Sequence, residues 1–236
     1  MDNRNYYDTF AETYEDKRHA GYHVFLDEAE MSVIQRHIEG QEVLEVGCGT
    51  GLILQRIAKS ARRAVGVDLS PGMLEHARRR GLEVHEANAT ELPFEDATFD
   101  VAVSFKVLAH VQDISDAMAE MARVVRPGGR VIAEFYNRRS IRTLVKRLKP
   151  NSAIGSDGVV DTDVYTRYDS IDDIKRYLPS NLEVARIDGI RIASPLALPF
   201  NLPFVGKAVA GLERSLMKTP LRHVGGFLVV HATRTR

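Results

Sequence analysis

Residues 42–51 read EVLEVGCGTG, an apolar run ending in an acid and opening into three alternating glycines. Glycine is needed where backbone turns with unusual dihedrals, or approaches a ligand more closely than a Cβ allows. A helix that follows such a turn offers unpaired N–H groups, and the positive end of its dipole, to whatever lies above the strand. Glu45 ends this run, and Asp68 ends the next one, twenty-one positions beyond Gly47. Two carboxylates therefore flank the turn, and carboxylates take up ammonium groups and paired hydroxyls. Asn88 supplies a neutral side-chain acceptor further on, and His110 a group that can move a proton near neutral pH. Tyr6, Tyr7, Phe10 and Tyr14 precede them all. The one cysteine, Cys48, sits inside the glycine turn and reads as a small filler rather than a nucleophile.

These residues need elements to hold them. Val43, Leu44 and Val46 suit a strand buried on both faces of a parallel sheet, and Leu52, Ile53, Leu54 and Ile57 continue with helical spacing. A second strand over 64–67 ends in Asp68, and Ser70-Pro71 then fits an N-cap with proline in the first helical turn. Strands follow over 82–87 and over 99–103, the latter ending at Ser104. Ile114, Met118, Met121, Val124 and Val125 mark a helix over 113–125, which Arg126-Pro127-Gly128-Gly129 stops before a strand over 131–135. His110 then falls at the open end of the sheet, where α/β ligands bind. Tyr6, Phe10 and Tyr14, four apart, predict a helix over 5–20 with its aromatics on one side, and a second apolar pattern from Val24 to Ile38 predicts another. Residues 138–149 hold six basic residues and no acid around an apolar stripe of Ile141, Leu144, Val145 and Leu148. Residues 150–163 read as a loop, 170–173 as a helix start, and 182–192 as a strand. Residues 195–205 are apolar but broken by prolines; a helix over 205–217 and a closing strand over 226–233 complete the chain.

A dinucleotide fingerprint, G-x-G-x-x-G, would need glycine where Leu52 stands, which disfavours a nicotinamide-dependent oxidoreductase. The E-x-G-x-G-x-G actually present resembles the class I S-adenosylmethionine-dependent methyltransferases. Three further stretches are similar to that family: YYDTFAETYE near the start, NATELPF at 88–94 and RVVRPGGRVI at 123–132. The second is the variant seen in quinone-biosynthesis methyltransferases. The resemblance implies an α/β, Rossmann-like sheet of seven mostly parallel strands with an antiparallel last strand. It implies one domain over 1–236, comprising N-terminal lid helices (1–40), a cofactor core (41–136), an insert (137–181) and a C-terminal hairpin and helix (182–236). It places S-adenosyl-L-methionine against Tyr14, Glu45, Gly47, Cys48, Gly49, Gly51, Asp68, Leu69, Met73, Asn88, Ala89, Thr90, Ser104 and Phe105. Asp68 would hold the ribose hydroxyls and Asn88 the adenine amino group. Tyr7, Tyr14 and His110 would face the acceptor, with His110 as the catalytic base. No metal is implied, since Ser104 stands where a metal-dependent catechol-type enzyme offers a carboxylate.

Composition narrows the acceptor and the setting. Lys+Arg and Asp+Glu are both 32 in 236 residues, so no global charge favours nucleic acid. The (N/D)-P-P-(Y/F/W) clamp of base-methylating relatives is missing at Ser104, which also argues against macromolecular targets. A single cysteine excludes an internal disulfide, and no apolar run approaches a membrane span. MDNRNYYDTF lacks the apolar core of a signal peptide. The expectation is a cytoplasmic monomer or homodimer that methylates a small apolar acceptor, aromatic or isoprenoid, with at most a weak membrane-surface contact through the basic stretch. The alternative is a protein that binds S-adenosylmethionine as a sensor or accessory subunit without transferring its methyl group.

Overall fold

The computed structural model describes residues 7–8, 10–16, 18, 21–148, 165–193, 200 and 203–236. Strand β1 (Glu42–Val46) lies between β2 (Arg63–Asp68) and β4 (Phe99–Ser104), parallel to both. Strands β3 (Glu83–Glu86) and β5 (Val125–Tyr136) extend the parallel sheet on either side. Strand β7 (Phe227–Arg234) runs antiparallel between β5 and β6 (Leu182–Ile190), giving the order β3-β2-β1-β4-β5-β7-β6. This is the seven-stranded, mostly parallel sheet that the resemblance implies.

Alternate residues of a strand face opposite ways, and β1 feeds two cores accordingly. Leu44 and Val46 join Met118 and Met121 of helix α4 (Ile114–Val124), while Val43 joins Ile34 and Ile38 of α1 (Tyr22–Ile38) and Ile57 of α2 (Leu52–Ile57). Helix α3 (Pro71–Arg79) starts as its sequence suggests: the Ser70 hydroxyl accepts from Met73 N–H at 3.1 Å. Helices α5 (Ile141–Leu148), α6 (Ile171–Tyr177) and α7 (Pro203–Leu216) follow β5, and Ser170 with Asp173 forms a capping box on α6.

Two expectations need correction. Tyr7, Asp8 and Phe10 are helical, but residues 11–16 form turns, so no single helix runs over 5–20. The polar residues of this segment bond to the core instead: Asp8 accepts from Gly72 N–H at 3.0 Å, and Glu15 accepts from Arg80 at 2.6 and 2.8 Å. Tyr6 lies outside the described residues. Second, Arg-Pro-Gly-Gly does not precede the fifth strand but bulges within it, where the β4–β5 register jumps from Val125 to Arg130. Arg126 fastens this bulge to Glu42 and Asp100 at 2.7 and 2.6 Å. The apolar stripe of α5 is not buried at its start. Ile141 and Leu144 are exposed, and the buried side carries Thr143, whose hydroxyl donates to Asn137 O at 2.8 Å. The loop read over 150–163 and most of the apolar stretch over 195–205 lie outside the described residues.

Candidate active site

A cavity of about 450 Å³ opens at the carboxyl ends of β1, β2 and β4. It brings together Tyr7, Tyr14, Glu45, Gly47, Cys48, Gly49, Asp68, Leu69, Met73, Asn88, Ala89, Thr90, Phe105 and His110. Gly51 and Ser104 do not line it. A Cβ at Gly51 would stand 2.5 Å from Leu82 Cδ1 and 3.1 Å from Ala77 Cβ, so this glycine lets the β1–α2 turn pack on α3. Ser104 is fully buried and donates to Val46 O at 2.9 Å, tying the ends of β4 and β1 together.

The other two glycines also differ. Gly47 has φ of 77° and a Cβ there would lie 2.1 Å from a Val107 methyl, so it makes room for protein. Gly49, at φ 52°, has nothing within 4 Å of its would-be Cβ and so opens toward the cavity. Asp68 braces the same turn, accepting from Gly49 N–H at 2.8 Å and from Ser70 N–H at 3.0 Å. Burial raises its pKa, and these backbone bonds oppose that rise. Each oxygen keeps a lone pair for a further donor. Asn88 is exposed at the rim and its side-chain oxygen accepts from Thr90 N–H at 3.2 Å, an arrangement that fixes which way the amide points. Burial and the neighbouring Glu45 push the Cys48 thiol well up, leaving it protonated and inert.

The cavity floor carries more acid than the sequence disclosed. Glu45 is 3% exposed and its Oε2 accepts no hydrogen bond. Behind it are buried Glu30 from α1 and Glu134 from β5, each also with an Oε2 that no donor reaches. Burial first, then the Glu30 charge, raises the pKa of both Glu45 and Glu134 well above the ordinary range. A buried cation faces them. Lys106 Nζ stands 2.9 Å from Glu30 and 3.3 Å from Asp27, and the Lys106 backbone N–H donates to Glu134 at 3.2 Å. Burial works to lower the Lys106 pKa, but Glu30 holds it above the usual value. Lys106 has φ of 60°, a left-handed backbone unusual for a side-chain-bearing residue. Its role could not be read from S-F-K-V-L, because its partners come from strands and helices far along the chain.

The lid closes one side. Arg18 lies over the Tyr14 ring at 4.7 Å and reaches Asp27 at 3.4 Å, so it links the tyrosine to α1. Tyr7 meets His110 edge-on, with ring centroids 6.3 Å apart, and His110 meets Tyr136 at 5.8 Å. Arg18, Lys106, Val107 and Tyr165 line the cavity without having been foreseen.

Residues 44–133 match the family model of a methyltransferase domain. A probable S-adenosylmethionine-dependent methyltransferase of Mycolicibacterium smegmatis is 40% identical over 101 residues, 42% of this chain and 39% of its own. The demethylmenaquinone methyltransferase of Corynebacterium kroppenstedtii is 38% identical over 97 residues, 41% of this chain and 42% of its own. The chain thus spans less than half the length of these curated relatives. Among solved structures, an S-adenosylmethionine-dependent methyltransferase of Thermotoga maritima, described as a possible histamine N-methyltransferase, superposes with a TM-score of 0.74. That likeness covers 99% of both chains at 21% identity, which establishes the fold. The chain thus shares its fold with that methyltransferase, and residues 44–133 are similar to a methyltransferase domain.

The residues present fit that cofactor. S-adenosylmethionine carries an ammonium and a sulfonium, and Glu45, with an oxygen that accepts no hydrogen bond, lines the cavity in front of buried Glu30 and Glu134. Asp68 adds carboxylate acceptors to the lining, and Gly49 leaves space for close backbone approach.

Proposed function

We propose that the protein transfers a methyl group from S-adenosylmethionine to a small, largely apolar acceptor, aromatic or isoprenoid. The observation that carries this reading is one cavity lined by two chemically different groups. Glu45, Gly49 and Asp68 are acidic and polar and gather at the glycine turn; Tyr7, Tyr165 and His110 are aromatic and meet at His110. The cofactor supplies a methyl group already activated by the positive charge on sulfur. The chain's own residues then position and exclude water, which is where most of the acceleration would originate. Glu45 holds the ammonium end, Asp68 the ribose hydroxyls, and Asn88 with Ala89 the adenine edge. Tyr14 and Tyr7 close over the top, and His110 takes a proton from the acceptor where it has one to lose.

The quinone-type acceptor of one relative supports the apolar class. So does the start of α5, where Ile141 and Leu144 are exposed near the exposed Arg139, a surface suited to brief contact with an anionic membrane. Methyl transfer from labelled donor, scored by mass shift across aromatic hydroxyls, isoprenoid quinols, amino acids and sugars, tests the reading. Label is expected in the first two groups. Label confined to amino acids or sugars would defeat it.

A further inference from the structure

The short 3-10 turn Leu108–His110 is gripped from outside by residues 165–169, and nearly every polar group of that grip is aimed at the turn. Arg167 N–H donates to Ala109 O at 2.8 Å. Its guanidinium donates to Val111 O at 2.7 Å, to Leu108 O at 2.9 Å, and to both Asp169 oxygens at 2.9 and 3.1 Å. Asp169 is 1% exposed and accepts from the Tyr177 hydroxyl at 3.1 Å; the Tyr177 ring lies 5.1 Å from the guanidinium. Asp169 N–H donates to Tyr136 O at 2.7 Å and anchors the grip on the end of β5. Arg167 itself does not line the cavity. A nearly buried arginine whose donors go to carbonyls on both sides of one histidine fixes that histidine's place.

It also fixes the histidine's proton. Tyr165 O lies 2.9 Å from His110 Nδ1, and a carbonyl can only accept, so the hydrogen of this bond sits on Nδ1. In the neutral ring Nε2 then carries the lone pair. Resting on the methyltransferase reading above, we propose that residues 165–169 are a positioning unit, with Arg167 at its centre, that presents His110 Nε2 as base to a neutral phenol or enol hydroxyl. In the step, the acceptor oxygen forms its bond to the methyl carbon while its proton passes to Nε2. The pair of the breaking carbon–sulfur bond stays on sulfur, which leaves as a neutral thioether.

The surroundings select for that acceptor. Tyr7, Tyr136 and Tyr165 face His110 from the lid, from β5 and from the grip, Asp113 lines the cavity from its own loop, and Arg167 is the cation behind it. Burial, and after it the Arg167 charge, lowers the His110 pKa against the Tyr165 bond, which raises it. The ring is therefore neutral at pH 7 and a mild base, matched to a hydroxyl whose proton becomes acidic as its oxygen is alkylated. An alkylamine acceptor would arrive as a cation, and an arginine behind the base repels it.

Protein labelled with ¹⁵N-histidine tests this by long-range ¹H–¹⁵N NMR, the His110 signals being those lost in His110→Gln. A protonated Nδ1, an unprotonated Nε2 and a titration below 6.5 are expected. Arg167→Met should move that titration upward and mix the tautomers, while Arg167→Lys, which keeps the charge but not the fork, should leave the titration low and still mix the tautomers. A wild-type ring protonated on Nε2, or a titration unmoved in Arg167→Met, overturns the proposal. Should Arg167→Met not fold, 2-naphthol against 2-naphthylmethylamine, a cation at pH 7, as methyl acceptors decides: preferential methylation of the amine overturns it, and of the naphthol supports it. S-adenosylhomocysteine affinity of the wild-type protein is measured alongside. Its absence would remove the methyltransferase reading while leaving the tautomer result intact.

Discussion

A Cβ at Gly47 would collide with Val107, whereas one at Gly49 would enter open space. Gly49→Val should therefore fold, at a cost of about 1–2 kcal/mol for its left-handed backbone, and lose S-adenosylhomocysteine binding by calorimetry. Gly47→Ala should lower the melting temperature more than Gly49→Val, although alanine is the smaller residue. Retained affinity in Gly49→Val would take the turn out of the site. Asp68→Ala removes an acceptor from bound hydroxyls and strands two backbone donors, so affinity and stability should each fall by about 1–3 kcal/mol. Glu45 gives a pH signature. Its folded-state pKa is raised, so its stabilising influence is complete below the unfolded value of 4.5 and is lost as pH rises through the folded one. Glu45→Gln should thus gain thermal stability over the parent increasingly as pH climbs above 4.5; a pH-independent difference would mean that the carboxyl is not desolvated in solution.

At the scale of elements, α3 is the post to which the lid is tied. Asp8 bonds Ser70 and Gly72 at its start, Glu15 bonds Arg80 at its end, and a Cβ on Gly72 would lie 3.3 Å from buried Ala11. Glu15→Gln weakens a half-buried ion pair whose loss is worth about 1 kcal/mol at most. Amide exchange of residues 7–18 should then quicken about fivefold while the melting temperature scarcely moves. Equal quickening across the core instead would show that the lid does not open on its own. The tyrosines of this segment were legible, because their spacing survives in any compact local structure. The ties were not, since each joins residues more than sixty positions apart, and turns replaced the expected helix for the same reason. Ser70 and Asp173, whose caps close within three residues, could be read directly.

For the whole molecule, the parallel half of the sheet was readable because each strand ends in its own punctuation: glycines after β1, Asp68 and Ser70 after β2, Asn88 after β3. The grip on His110 was not, because Arg167 and Asp169 sit in a stretch with no periodicity, and only the fold delivers them to Leu108 and Val111. Similarly, the acid-rich floor needed Glu30, Glu45 and Glu134, three elements that meet only in space.

The placing of β7 has a consequence for how the chain assembles. Strands β1 to β5 draw on one continuous stretch, Glu42 to Tyr136, whereas the outer edge of β5 is completed by Phe227–Arg234. Closing so long a loop carries an entropic cost that growing the parallel half does not. Until β7 arrives, β5 shows a bare edge flanked by Ile132 and Phe135, which are fully buried in the finished sheet. The window for misassembly therefore belongs to the antiparallel end of the sheet rather than the parallel half. Refolding followed by pulsed amide exchange should find β1 and β4 protected in an earlier phase than β6 and β7. Simultaneous protection of all four would mean that the two halves form as one cooperative unit.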